Sequence, residues 1–114
     1  MTPAELTELR ETIARLRGWM PQKNGWWQDP RGYHHKRVPD FDEIPAVILE
    51  TLEAMMRDGH EPMHGIYSKG GMFFINGINA KSQPTLALAV CAAYPVWMEQ
   101  KRNATAPTKE PDNG

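Results

Sequence analysis

The run from Leu86 to Trp97 consists almost entirely of small and apolar residues, so a helix formed by it has almost no polar face. A helix that is apolar around its circumference is usually buried on more than one side. A chain of 114 residues has room for a single modest core. The run therefore predicts one domain in which other elements surround this last helix.

Two earlier segments have the periodicity of amphipathic helices. The first helix, residues 3–17, starts within a capping box, Thr2-Pro3-Ala4-Glu5, and its apolar side chains recur every three or four positions. In the second helix the apolar residues share one face, Asp40 and Asp42 offer N-terminal caps, and Gly59 ends the helix. The sequence thus predicts three helices.

Short strands are predicted between the second and third helices. Ser68-Lys69-Gly70-Gly71 separates the apolar runs 66–67 and 72–75, which is typical of a β-hairpin. Asn76-Gly77 marks a second turn and leaves a brief third strand at 78–81. We expect a compact α+β fold, an αβα sandwich with a small antiparallel sheet. Its elements follow the order helix, short β segment, helix, two strands with the brief third, and helix.

The end of the last helix carries two interruptions. Pro95 removes a backbone hydrogen bond and costs ~3 kcal/mol in a straight helix, so we predict a kink or break near Tyr94. From Asn103 onward no apolar residue is larger than alanine. This composition predicts a single domain over residues 1–102 and a disordered tail over residues 103–114.

Charge and cysteine content limit the environment of the chain. Acidic and basic residues nearly cancel, 14 against 13, so the net charge provides no long-range attraction to nucleic acid or membranes. Cys91 is the single cysteine, and the N-terminus lacks the pattern of a signal peptide. No run approaches the roughly 18 apolar residues of a membrane span. We expect a soluble protein of the reducing cytoplasm that holds no cofactor.

One apparent catalytic motif is His60-Glu61-Pro62-Met63-His64, which matches the HExxH pattern of zinc hydrolases. That chemistry needs a helix, because residues four apart on a helix bring both imidazoles to one metal. The proline within the motif, with Gly59 and Gly65 on either side, instead predicts a turn into the first hairpin strand. We therefore expect no catalytic residues and no metal site, and interpret Cys91 as a small core residue.

The segment of residues 26–37 combines aromatic rings with cations, and we call it the basic aromatic segment. Its rings could form a stacking wall while its cations bind phosphates. Alternatively, Trp27 and Tyr33 fill the open side of the core, residues 29–32 form a turn, and residues 34–37 form a solvated loop. The candidate binding residues are Trp26, Trp27, Arg31, Tyr33, His34, His35, Lys36 and Arg37.

The adjacent tryptophans 26 and 27 and the pair Trp97-Met98 bear on association. Trp26 and Trp27 face opposite sides if they lie on a strand, so one of them is an exposed aromatic of the kind enriched in binding surfaces. Trp97 and Met98 follow Pro95 in a helix that is already apolar. A homodimer or a host-protein interface would bury them. Alternatively, the first helix covers them and the protein is a monomer.

Several stretches of the chain resemble the small phage αβα-sandwich domain proteins. They are Trp27-Gln28-Asp29-Pro30-Arg31-Gly32-Tyr33, Val38-Pro39-Asp40-Phe41, Met56-Arg57-Asp58-Gly59 and Pro84-Thr85-Leu86-Ala87-Leu88-Ala89-Val90-Cys91-Ala92-Ala93. The resemblance covers about two thirds of the chain and implies a short accessory protein of phages or prophages without known catalytic residues. This chain departs from the family at Pro95 and in the run from His34 to Arg37.

These observations lead to a set of functional hypotheses. The first is a non-catalytic phage or prophage accessory protein in the host cytoplasm, acting in counter-defence or host takeover. It would bind either a small anionic, nucleotide-like ligand at residues 26–37 or a host protein through exposed tryptophans and the third helix. A nucleic-acid-binding protein is the alternative from another class. The last hypothesis is a zinc hydrolase that acts through residues 60–64.

Overall fold

Three helices and two small antiparallel sheets form the protein in a computed structural model, which describes residues 1–67 and 70–105. β1, β2 and β3 form one sheet in that order, and β4 and β5 form a hairpin. The predicted α+β class is confirmed. The elements in chain order are α1 (Pro3–Leu16), β1 (Met20–Pro21), β2 (Trp27–Gln28), β3 (His34–His35), a 3-10 turn (Phe41–Glu43), α2 (Pro45–Arg57), β4 (Pro62–Tyr67), β5 (Gly70–Ile75) and α3 (Leu86–Thr105).

The last helix, α3, is the central element, as its composition predicted. It packs against α1, α2, the 3-10 turn and β5. Cys91 belongs to one core cluster with Ile13 and Trp27, whereas Val90 and Trp97 belong to a second cluster with Met55 and Ile75. The helix is therefore buried on two sides. None of the helices in the described part of the chain has both the length and the apolar character needed to cross a membrane.

The first helix begins with the predicted capping box. The backbone N–H of Glu5 donates to Thr2 Oγ1 at 3.1 Å, and the backbone N–H of Thr2 donates to Glu5 Oε1 at 2.8 Å. The hydrogen bond from the Thr2 backbone is the main reason that the pKa of Glu5 lies below its ordinary value. Because Pro3 has no N–H, this helix start has three free N–H groups, and the box engages two of them.

The second helix is not capped as predicted. α2 begins at Pro45, and no side chain caps its N-terminus. Asp42 instead receives two hydrogen bonds from Arg10 of α1, at 2.6 Å from Nε and 3.0 Å from Nη2, while Arg10 Nη1 lies 3.2 Å from Asp40. Through these bidentate, charge-assisted bonds the aspartates join α1 to the 3-10 turn. The C-terminal prediction is confirmed, since Gly59 ends α2 with φ +90°.

The hairpin β4–β5 is confirmed and begins earlier than predicted, at Pro62. Ser68 and Lys69, which join its two strands, lie outside the described residues. The predicted third strand at 78–81 is wrong. A single bridge between Phe73 and Gln83 takes its place, because Ala80 N–H donates to Ile78 C=O at 2.9 Å and folds the backbone into a γ-turn.

The third helix is continuous through Pro95 to Thr105, so of the predicted kink or break the break is wrong and the kink stays a prediction. Burial of α3 against two core clusters offsets the local cost of the proline. Residues 103–105, assigned to a disordered tail, are helical. Residues 106–114 lie outside the described residues.

Trp97 is a core residue, contrary to the prediction that a partner would have to bury it. Its ring packs in the cluster formed by α2, β5 and α3, and its indole Nε1–H donates to Asp58 Oδ2 at 3.0 Å. Lys101 Nζ lies 4.5 Å from the centre of the ring. Met98 is partly buried against the same cluster. These contacts leave Trp97 unavailable for a dimer interface.

Candidate functional site

The two adjacent tryptophans of the basic aromatic segment face opposite sides of the N-terminal sheet. Trp27 is buried and packs in one cluster with Ile13 and Phe41. Trp26 remains 38% exposed. The expectation that only one of them enters the core is confirmed, and Trp26 is the exposed aromatic.

Several of the candidate residues share the solvent-facing side of this sheet. Met20, Gln28 and His34 are cross-strand partners in β1, β2 and β3, so their side chains lie on one face. Trp26 and Lys36 lie two residues from Gln28 and His34, which places them on the same face. We call this surface the outer face and define it by Met20, Trp26, Gln28, His34 and Lys36.

The outer face combines apolar surface with positive charge. Lys36 Nζ lies 5.9 Å from the centre of the Trp26 ring, at the outer range of a cation–π contact. Met20 is 61% exposed beside them, and His34 is exposed. None of the five side chains that define the face is acidic. The face can therefore offer an aromatic ring, a thioether, an imidazole and the cation of Lys36 to one ligand.

A tight turn joins β2 to β3, as predicted for residues 29–32. The N–H of Gly32 donates to the C=O of Asp29 at 2.9 Å, and Gly32 has φ +97°. Arg31 and Tyr33 are exposed at this turn. Tyr33 is 66% exposed, so the interpretation that it fills the core is wrong. Tyr33 belongs to the connection between β2, which ends at Gln28, and β3, which begins at His34, and its side chain faces solvent there.

Asp29 organises the inner side of this hairpin. One of its oxygens accepts the backbone N–H groups of Arg31 and Tyr33, each at 2.9 Å, and the other lies 2.9 Å from His35 Nε2. The hydrogen bond from His35, followed by those two N–H groups, holds the pKa of Asp29 below its ordinary value. The His35 ring also lies 4.9 Å from the Trp19 ring. His35 is thus a structural residue.

The rest of the histidine and arginine run is divided between two surroundings. His34 and His35 form β3, so the solvated-loop interpretation is wrong for them. Arg37 turns toward the acidic residues between α1 and the 3-10 turn, where its Nη1 lies 3.3 Å from Asp40 Oδ1. Of the eight predicted residues, the outer face brings together only three, Trp26, His34 and Lys36.

The HExxH-like motif is not helical, as predicted, but the turn predicted for it is a strand from Pro62 onward. Its second half belongs to β4, where the His64 ring stacks on Phe73 with centres 4.5 Å apart. His60 Nδ1 instead lies 3.0 Å from the C=O of Asn76. Within residues 1–67 and 70–105, no group of three or more His, Cys, Asp or Glu side chains is placed to hold a metal ion.

Cys91 lies in the core and has the properties of a structural thiol. Burial raises its pKa to about 12, and the negative charge of Asp42 acts in the same direction. A thiol with this pKa is almost fully protonated at neutral pH. The interpretation of Cys91 as a small core residue is in agreement with this environment.

The larger clefts lie away from the basic aromatic segment. One of about 340 Å³ lies between the start of α1 and the segment that leads into α3, with Glu5, Met72 and Lys81 in its lining. Another of about 350 Å³ lies between α2 and the start of α3, beside Leu49. The outer face is an open surface, whereas these clefts are concave.

Two residues of the outer face, Met20 and Gln28, were missed by the reading of the sequence. They reach the face because β1 pairs with β2 across a turn in which Gly25 N–H donates to Gln22 C=O at 3.1 Å. The dipeptide Asn24-Gly25 is a standard turn signal and could have predicted this pairing. Gly25 has the positive φ, +86°, that such a turn requires.

No protein-family model, curated protein or solved structure matches this chain. The outer face is therefore the main structural observation from which a function can be inferred.

Proposed function

We propose that the chain is a non-catalytic accessory protein of phage or prophage origin that binds a protein partner through its outer face. The phage assignment rests on the sequence resemblance in residues 27–33 and 84–93. In this proposal the protein acts in the host cytoplasm, where binding blocks or adjusts a host process such as an antiviral defence. The partner presents an acidic surface to the sheet.

The position of Trp26 is the single observation that carries this proposal. Its neighbour Trp27 supplies the aromatic ring that the core needs, so Trp26 is not required for packing there. Tryptophan is the residue type most enriched at the energetic centres of protein interfaces, where truncation to alanine costs about 2 kcal/mol or more. Together with exposed Met20, the ring provides an apolar centre on an otherwise polar hairpin.

The charges around Trp26 indicate the chemistry of the partner. Lys36 and His34 lie on the outer face, and Arg31 is exposed at the adjoining turn. The carboxylate of Asp29, in the same hairpin, is engaged by His35 and two backbone N–H groups. A surface of this kind favours acidic side chains and repels basic ones.

The open shape of the face favours a macromolecular partner over a small anionic ligand. Small ligands are usually held in concave sites, and the clefts of about 340 and 350 Å³ lie elsewhere. A single-stranded nucleic acid is the second candidate, because an aromatic ring beside a cation on a sheet can stack with a base. The near balance of 14 acidic and 13 basic residues makes a protein the stronger candidate.

Site-specific photocrosslinking in living bacteria tests the proposal. A photoreactive phenylalanine analogue replaces Trp26 in one variant and Leu49, an apolar residue on α2 that is more exposed (57% against 38%), in a control. We expect a discrete adduct from position 26 and none of the same mass from position 49. Lys36→Glu in the same protein should abolish the adduct by repelling an acidic partner.

The nature of the adduct distinguishes the candidates. A protease-sensitive adduct that resists nuclease supports the protein partner, and a nuclease-sensitive adduct identifies the nucleic-acid alternative. If position 26 yields no discrete adduct, or the same adducts as position 49, the outer face is not the binding surface. Native mass spectrometry of protein taken directly from cells checks separately for a small bound ligand.

A further inference from the structure

A second surface, independent of the outer face, is the open edge of the hairpin β4–β5. β4 pairs with β5 on one side, and no further strand pairs with it in the part of the chain that the structure describes. β5 is bridged on its far side by Gln83, so its edge is partly covered. The unpaired edge of this sheet therefore belongs to β4.

The hydrogen-bond pattern shows which backbone groups of β4 face outward. Residues of an antiparallel pair alternate between bonding to their partner strand and pointing away from it. Phe73, opposite His64, exchanges its backbone hydrogen bonds with Gln83 and therefore points away from β4. By the same alternation, the N–H and C=O groups of His64 and Ile66 point away from β5, toward the open edge.

The edge lacks the usual protection against pairing. Natural edge strands commonly carry lysines or other charges, or lie under a loop or helix. All six residues of β4, Pro62-Met63-His64-Gly65-Ile66-Tyr67, lack a permanent charge. Met63 and His64 are exposed. Pro62 is the one protective residue, and it stands at the very start of the strand.

We propose that β4 pairs in antiparallel fashion with β4 of a second copy of this chain, forming a continuous sheet across a two-fold axis. A charged edge would repel an identical edge, whereas a foreign strand of opposite charge could pair with it. An edge without charge, such as that of β4, does not repel an identical edge and can therefore pair with a second copy. An antiparallel strand is also complementary to itself about a two-fold axis, the commonest symmetry of homodimers.

The sequence of the edge selects a register. When His64 lies opposite the partner's Ile66, each such pair exchanges both of its backbone hydrogen bonds. Gly65 then lies on the axis, where cross-strand side chains approach most closely and a glycine causes no clash. The alternative register places His64 opposite the partner's His64 and therefore Pro62 opposite the partner's Ile66. Because proline has no N–H, the C=O of the partner's Ile66 would then lack a donor.

Sedimentation analysis and amide exchange of the full chain test this dimer. We expect the mass to rise to that of two chains with concentration, while the amide protons of His64 and Ile66 become protected in parallel. A mass of one chain up to about 1 mM overturns the proposal, because association weaker than this is not a specific dimer. A dimer that leaves both amides unprotected uses another surface and overturns it equally.

Two pairs of variants separate the edge from general effects. His64→Pro removes the outward N–H and should weaken the dimer about tenfold or more, whereas His64→Ala loses the same ring and keeps the N–H. Gly65→Glu places the carboxylates of the two copies opposite each other at the axis, where they repel, and Gly65→Ala is the uncharged control. We expect only the proline and glutamate variants to shift the chain to monomers. Equal dimerisation within each pair contradicts the proposal, and circular dichroism confirms that each variant folds.

Discussion

Replacing Arg10 by methionine should destabilise the protein, because this side chain joins α1 to the 3-10 turn. Arg10 binds Asp42 in bidentate geometry at 2.6 and 3.0 Å and also contacts Asp40 and Glu43. The side chains of Arg10 and Asp42 are only 16% and 10% exposed. Methionine keeps most of the apolar stem of Arg10 and removes the charge.

The size of the loss follows from the carboxylate that is left behind. Removing one partner of a fully buried ion pair costs about 3–5 kcal/mol, since the other charge stays buried without compensation. Residual exposure of Asp42 reduces this figure, and the more exposed Asp40 and Glu43 add little. We expect a loss of about 2–3 kcal/mol at neutral pH, which lowers the urea midpoint by roughly 2 M.

The loss should depend on pH in a direction set by Asp42. The hydrogen bonds from Arg10 hold the pKa of Asp42 below its ordinary value in the folded protein. Its stabilising contribution is therefore complete above the unfolded pKa of about 3.9 and disappears as pH falls through the folded pKa. In the Arg10→Met variant, buried Asp42 has lost the guanidinium that paired with it, so protonation at low pH removes an uncompensated charge. The difference in unfolding free energy between the two proteins should accordingly shrink from pH 7 to pH 3.

Urea unfolding followed by tryptophan fluorescence at pH 7 and pH 3 measures this difference. The lowered pKa values of Glu5 and Asp29 add acid sensitivity to both proteins and cancel in the comparison. The double variant Arg10→Met, Asp42→Leu leaves no buried charge in this pair and should recover most of the stability. An equal loss at both pH values, or no recovery in the double variant, would refute the electrostatic explanation.

Two further predictions concern the turns and the core. Gly77→Ala should lower the free energy of unfolding in urea by about 1 kcal/mol more than Gly25→Ala does. Both glycines have positive φ, but only at Gly77 would an added Cβ meet His60, 2.7 Å from Nδ1. Equal losses in the two variants would contradict this. Cys91 should react with a thiol reagent at pH 8 only as fast as the protein unfolds, because its thiol is buried and has a pKa of about 12. Rapid labelling of the native protein would show that the core opens locally.

Features that depend on neighbouring residues were predictable from the sequence. The capping box joins Thr2 and Glu5, which are three residues apart, and Gly59 and Gly77 end their elements with positive φ. The hairpin between β4 and β5 likewise depends on a short loop. In each case the deciding interaction lies within a few residues of the chain, so a local pattern is sufficient.

The capping of α2 was not predictable in this way. Asp42 is a good cap by composition, yet its partner is Arg10, 32 residues earlier in the chain. Pro95 is a helix breaker by local rules, yet α3 continues because its two sides are buried against separate clusters. Both errors arise where a long-range contact outweighs a local preference.

The candidate site was predicted in part for the same reason. Strand alternation predicts that Trp26 and Trp27 separate, but which of them enters the core depends on packing with Ile13 and Phe41. The contribution of Met20 depends on the pairing of β1 with β2.

By itself the sequence determined the three helices, the hairpin and the need to bury the run from Leu86 to Trp97, because periodicity, caps and glycines act over one turn. Only the tertiary structure decided that Trp97 is covered, that Trp26 is left outside and that none of the described strands pairs with the outer edge of β4. These outcomes depend on which apolar surfaces from distant segments are buried together. That choice minimises the free energy of the whole core, and no local pattern contains it.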